Sequence, residues 1–138
     1  MKIRKTMPKS AKKPSRKRLI TRLDVVFSKY VRLSNADRRG YCTCVTCGKQ
    51  GYWEKDIIDA GHFISRSHMA TRWDPENVLP QCSKCNRFQS GRQFEFAKHL
   101  GYEKAEELLK KSREIKKFSL DELKEMIDFY SDALKKLE

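Results

Sequence analysis

Two cysteine pairs, Cys44-x-x-Cys47 and Cys82-x-x-Cys85, constrain this 138-residue chain more than any other feature. A C-x-x-C segment suits a knuckle turn in which two thiolates face one ion, and Gly48 fits the tight backbone after the first pair. Four thiolates form a closed tetrahedral site for Zn²⁺, with bonds of about 2.3 Å and no position left for water, so the expected zinc is structural. Two details are irregular. The 34 residues between the pairs exceed the usual zinc-ribbon spacing. A fifth cysteine, Cys42, would make only a C-x₄-C knuckle, and the expectation is a free, packed thiol. Reading five cysteines as ligands rather than disulfides supposes a reducing compartment. The N-terminus lacks the apolar h-region of a secretory signal, and no stretch approaches the ~18 apolar residues of a membrane span. A soluble cytoplasmic protein, not a membrane protein, is expected.

Charge supplies the second constraint. Of 31 Lys and Arg, ten lie in residues 1–23, which hold no acid, leaving 21 basic and 18 acidic side chains in the remainder. Such an arm suits a polyanion, nucleic acid above all, with Arg16, Lys17 and Arg18 as candidate contacts. The plainer reading is a solubilising tail.

The chain divides into a basic arm over 1–16, an amphipathic helix over 17–40, a cysteine-bearing core over 41–92 and a helical region over 93–138. The first helix rests on Leu19, Ile20, Leu23, Val26, Phe27, Tyr30 and Val31 at three- and four-residue steps, with Gly40 as its stop. Short strands are expected near 51–54 and 57–64. A helix begins near Phe94 and is interrupted at Gly101, and a second follows over 103–114. Ser119 and Glu122 form a capping-box pattern before a last stripe of Leu120, Leu123, Met126, Ile127, Tyr130 and Leu134. The predicted class is α+β, a small zinc-stapled core flanked by helices.

A zinc ribbon needs only a connector between its pairs, yet this insert carries D-A-G-H-F at 59–63 and Asn77 in P-E-N-V-L-P-Q-C, and Asn86 follows Cys85. The order His…Asn…Cys-x-x-Cys-Asn resembles an HNH, or ββα-metal, endonuclease. The longer run R-W-D-P-E-N-V-L-P-Q-C-S-K-C-N-R-F-Q-S-G is similar to the NinG (Rap) family, recombination endonucleases of lambdoid phages that cut branched DNA such as Holliday junctions and D-loops. That likeness spans roughly Lys17 to the C-terminus and is specific only over 42–92. It implies an HNH-like core, a metal-dependent phosphodiester hydrolase in a bacterial host's cytoplasm, and phage recombination proteins as possible partners.

Phosphodiester hydrolysis needs an activated water, stabilisation of phosphorane charge and help for the leaving oxygen. A neutral imidazole serves as base near pH 7. The resemblance implies that His62 is this base. The carbonyl of Asn86 suits Mg²⁺ or Mn²⁺, and Asn77 would pin the loop behind His62. Asp59 is the second candidate ligand, with support of His62 or pairing with an arginine as its alternative. In a regular strand it faces away from His62, so sharing one ion would require a bulge, for which Gly61 is suited. His68 is the alternative ligand. Guanidinium groups of Arg66 and Arg72 suit phosphate, with Arg72 placed in the catalytic set. Their plainer role is a surface pair with Asp74 or Glu76. Lys84, Arg87 and Arg92 are candidate DNA-backbone contacts. Trp53, Trp73 and Phe63 are read as core, and His99 as surface.

The competing reading is a non-catalytic zinc module that binds DNA. It explains the cysteines and the arm but not the spacing of His62, Asn77 and Asn86. A homing or restriction nuclease would need a larger specificity domain. Cutting two strands of a junction would favour a homodimer.

Overall fold

A computed structural model of the protein describes residues 13–55 and 57–138, so most of the basic arm lies outside the described residues. The fold is α+β: two separate two-stranded antiparallel sheets among helices. Helix α1 (Arg16–Ser34) leads into strands β1 (Tyr41–Thr43), β2 (Gln50–Tyr52) and β3 (Ile58–His62). Helix α2 (Met69–Arg72), strand β4 (Val78–Cys82) and a π-helical turn (Lys84–Phe88) follow, then α3 (Gln93–Leu100), α4 (Tyr102–Ser112) and α5 (Leu120–Leu137). β1 pairs with β2, and β3 with β4.

Helix α1 buries Leu19, Leu23, Phe27 and Val31, one residue per turn, against Leu123, Ile127 and Tyr130 of α5 and against Trp73 and Val78. The Phe27 and Tyr130 rings meet edge to face at 4.9 Å. Ser15 caps the helix by accepting from the Arg18 N–H, so Arg16 is the first helical residue rather than the end of an arm. Its guanidinium donates to the Phe118 carbonyl. The helix stops at Ser34, short of Gly40. Beyond the Asn35 cap, the Asp37 carboxylate accepts from the N–H groups of Arg39 and Tyr41, and this local alternative to the helix turns the chain. Gly40, at φ 87°, sits in that turn.

A second cluster joins Cys42, Cys44, Trp53, Ile58, Cys82 and Cys85. Both tryptophans are buried, as expected, and Phe63 packs its ring 5.7 Å from Phe96. The Ser119–Glu122 capping box is formed, and Gly101 separates α3 from α4 at φ 90°. Among the described residues, no helix is long and apolar enough to cross a membrane.

β4 was not legible as a strand because it contains Pro80. The Pro80 carbonyl accepts from the Val45 N–H, away from β3. Its missing N–H therefore lies on the side that makes no ladder bond to β3, where proline is tolerated.

Candidate functional site

The sulfurs of Cys44, Cys47, Cys82 and Cys85 all lie within 4.8 Å of one another. Cys47 and Cys82 stand 3.7 Å apart, close to the edge of about 3.8 Å that follows from tetrahedral 2.3 Å bonds. Three of the four are buried. This set can hold a metal ion such as zinc. Burial pushes the Cys82 thiol up to about 12. At Cys44 the same burial is outweighed by bonds from the Thr46 side chain and nearby N–H groups, to about 6. A bound ion would hold all four as thiolates. Cys42 stands outside the set: its thiol donates to the Arg32 carbonyl at 3.0 Å, the packed role expected of it.

A cleft of about 940 Å³ is lined by Asp24, Asp59, His62, Arg66, His68, Asn86 and Arg87, with Ser90, Gly91 and Gln93. Of the predicted residues, Asp59, His62, Arg66, Asn86 and Arg87, with the alternative ligand His68, therefore share one cleft. His62 ends β3. Its Nε2 is 2.9 Å from the Arg72 carbonyl, which can only accept. The ring proton is thereby fixed on Nε2, leaving the lone pair on Nδ1. Burial pulls the imidazole below its usual pKa. The Arg66 and Arg72 cations act in the same direction, while the Arg72 carbonyl and Asp24 oppose them.

Asn77 is fully buried. Its Oδ1 accepts from the Ile64 N–H at 2.8 Å, and its Nδ2 donates to the carbonyls of Ile64 (3.0 Å) and Thr71 (3.1 Å). One amide thus ties the segment after His62 to helix α2.

The expected bulge is absent. β3 pairs residue for residue with β4 from Ile58↔Cys82 to His62↔Val78, so Asp59 and His62 face opposite ways. Gly61 serves a different need, because a methyl group there would run into the Gln81 side chain. Asp59 instead meets Asn86, whose Nδ2 donates to it at 3.0 Å, and Arg87, which grips it through two bonds of 3.1 Å. As arranged, Arg87 takes both carboxylate oxygens of Asp59 and Asn86 turns its amide nitrogen toward it, so a hard divalent ion would bind here only with Arg87 displaced and the amide turned. Asn86 lies on the π-helical turn.

Arg72 is occupied differently from the expected pairing with Asp74 or Glu76. Its Nε and Nη2 grip Asp24 at 3.1 and 2.6 Å, and Nη1 donates to the Arg66 carbonyl at 3.0 Å. Its guanidinium is held beside the cleft, and its carbonyl is what reaches His62. Asp24 also accepts from the Trp73 indole at 2.9 Å, and Arg66 stands 3.8 Å away. Sequence reasoning missed Asp24. An acid on a helix face 38 residues from His62 carries no local signal. Asp74 and Glu76 pair with Lys111 and Lys104.

His68 is exposed, with Nδ1 3.3 Å from the Ser112 carbonyl, and does not join Asp59 and Asn86. Lys84 is exposed on the π-helical turn, and Lys17 and Arg18 on the first turn of α1. Arg92 pairs with Glu95 at 3.2 Å. Arg16, Lys17, Arg18, Lys84 and Arg92 are not among the residues lining the cleft. His99 is exposed, as expected.

No curated protein and no solved structure matches the chain. A family model described as the bacteriophage lambda NinG protein matches residues 1–138, the whole chain. The cysteine cluster and the cleft therefore belong to a member of the NinG family.

Proposed function

We propose that the protein is a metal-dependent endonuclease that hydrolyses phosphodiesters in branched DNA, the Holliday junctions and D-loops of recombination, through an HNH-like ββα-metal core. One observation carries the reading: His62 is tied through Nε2 to a carbonyl, so Nδ1 is a free base inside a cleft shared with Asp59 and Asn86. A water beside Nδ1 gives up its proton there as its oxygen bonds to phosphorus and the bond to the departing deoxyribose oxygen breaks. Arg66, exposed over 62% of its side chain, is free to meet a phosphate oxygen. Asn77 and Arg72 position His62. Mg²⁺ or Mn²⁺ held by Asp59 and Asn86 would supply charge neutralisation at the phosphate and the leaving oxygen. Arg87, 63% exposed, can leave Asp59 for the DNA backbone. The basic arm, with Lys17, Arg18, Lys84 and Arg92, would hold more of the polyanion.

A second reading, a zinc-stabilised module that only binds DNA, draws support from that same grip of Arg87 on Asp59, which satisfies the carboxylate without an ion. Cleavage of labelled four-way and D-loop DNA with Mg²⁺ or Mn²⁺ separates the two, with binding followed in parallel. The nuclease reading expects wild type to cut and His62→Ala to bind without cutting. Binding by both proteins with no cutting under either ion would leave the binding module.

A further inference from the structure

Phe88 is 82% exposed at the end of the π-helical turn. Asn86 and Arg87 before it line the cleft, and so do Ser90 and Gly91 after it, while Phe88 itself is not among the lining residues. A large apolar ring in water beside a polar cleft calls for an occupant, and the surroundings say which kind.

The mount of the ring is fixed. Cys85, in the same turn, belongs to the four-cysteine cluster. Ser90, Gly91 and Arg92 take positive φ in succession, at 51°, 78° and 46°, and two of these are not glycine. Backbone of this kind persists only where its surroundings hold it. Here the Gly91 N–H donates to the Cys85 carbonyl at 2.9 Å and the Arg92 N–H to the Gln89 carbonyl at 3.0 Å. The buried Gln81 amide donates to the Gly91 carbonyl at 2.7 Å. The ring is therefore presented on a braced turn rather than on a pliant loop.

The turn that carries it is basic. Residues 84–94 hold Lys84, Arg87 and Arg92 and no carboxylate, and although Arg87 pairs with Asp59 and Arg92 with Glu95, Lys84 is exposed and the Arg87 side chain is 63% exposed. An aromatic face set among cations complements a nucleobase between phosphates. A base inside a continuous duplex has both faces stacked on its neighbours. Only an unpaired base, as at a branch, flap or gap, can offer a face to Phe88.

We infer that Phe88 is a stacking platform for one unpaired nucleobase of DNA lying across the cleft, and that it selects interrupted strands over continuous duplex. This rests on reading the cleft as a DNA site, and it assigns the structural selectivity of that site to one side chain.

The test uses the zinc-loaded full chain without added divalent ion, so that no cutting intervenes. Affinity is measured for a three-way junction with one unpaired adenine at the branch, and for the same junction with an abasic residue there. Wild type is expected to prefer the adenine by about tenfold. Phe88→Ala is expected to lose that preference while keeping the abasic affinity and the zinc content, and Phe88→Trp to retain it. Equal affinities in wild type, or a preference that survives in Phe88→Ala, overturns the inference and returns the exposed ring to a protein partner. Cutting by wild type without base preference leaves the nuclease standing and sinks only the platform. Base preference without cutting supports the platform and sinks the nuclease.

Discussion

His62 concentrates what one residue can be asked to do. In the proposed reaction its unprotonated form is the reactive one, and burial, first among the causes, lowers its pKa below 6.5. The rate of DNA cutting should therefore rise with pH along a single limb centred below pH 6.5, which a pH series of single-turnover rates would read. A limb centred above 7 would contradict the assignment. The same shift affects stability. The unfolded chain takes up the proton at the ordinary histidine value, whereas the folded chain resists it to lower pH. The contribution is thus present above pH 6.5 and fades as pH falls through the lowered folded value. His62, Asn77 and Asn86 were readable because their spacing against a cysteine pair is a local pattern. Gly61 was misread. A glycine's latitude does not say whether it serves a bulge or, as here, the close approach of Gln81.

The informative element is α1. Its apolar stripe was plain in the sequence because one helix writes its own periodicity, but its opposite duty was not. Asp24 reaches from α1 to Arg72, whose carbonyl sets the His62 proton, so the helix is both a core strut and a brace for His62. Asp24→Ala leaves a largely buried guanidinium and an indole N–H without their acceptor, a loss of about 3 kcal/mol in stability. Chemical denaturation should show that loss. Kinetics should show a fall in kcat larger than any change in KM, because the base loses its orientation while the phosphate contacts remain. An Asp24→Ala protein that is destabilised yet turns over normally would make the brace purely structural. β4 shows the opposite limit: its ladder role depends on which edge Pro80 faces, which no single-chain pattern reveals.

Across the whole molecule, two cores meet. One is built of α1, α5, Trp73 and Val78, and the other of the cysteines, Trp53 and Ile58. Stripping the metal should dissolve the second, since a structural zinc site supplies on the order of 10 kcal/mol of folding free energy. The chelated protein should lose one zinc per chain by atomic emission and show red-shifted emission from Trp53, while α1 and α5 keep most of the helical circular dichroism. Collapse of the helical signal with the metal would show the two cores to be one cooperative unit. The α+β class and the metal cage were legible because they rest on composition and spacing. The junction between the cores was not, because it is made by contacts such as Arg32 to the Trp53 carbonyl that join distant segments. The pairing of α1 with α5 also governs the order of events at the ribosome. The helix that emerges first finds α5 only when residues 120–137 have followed it out, so during synthesis Leu19, Leu23, Phe27 and Val31 have at most the cover of Trp73 and Val78. The ion pair by which Asp24 holds Arg72 beside His62 depends on the same helix, and it too is settled only when the last helix closes on the first.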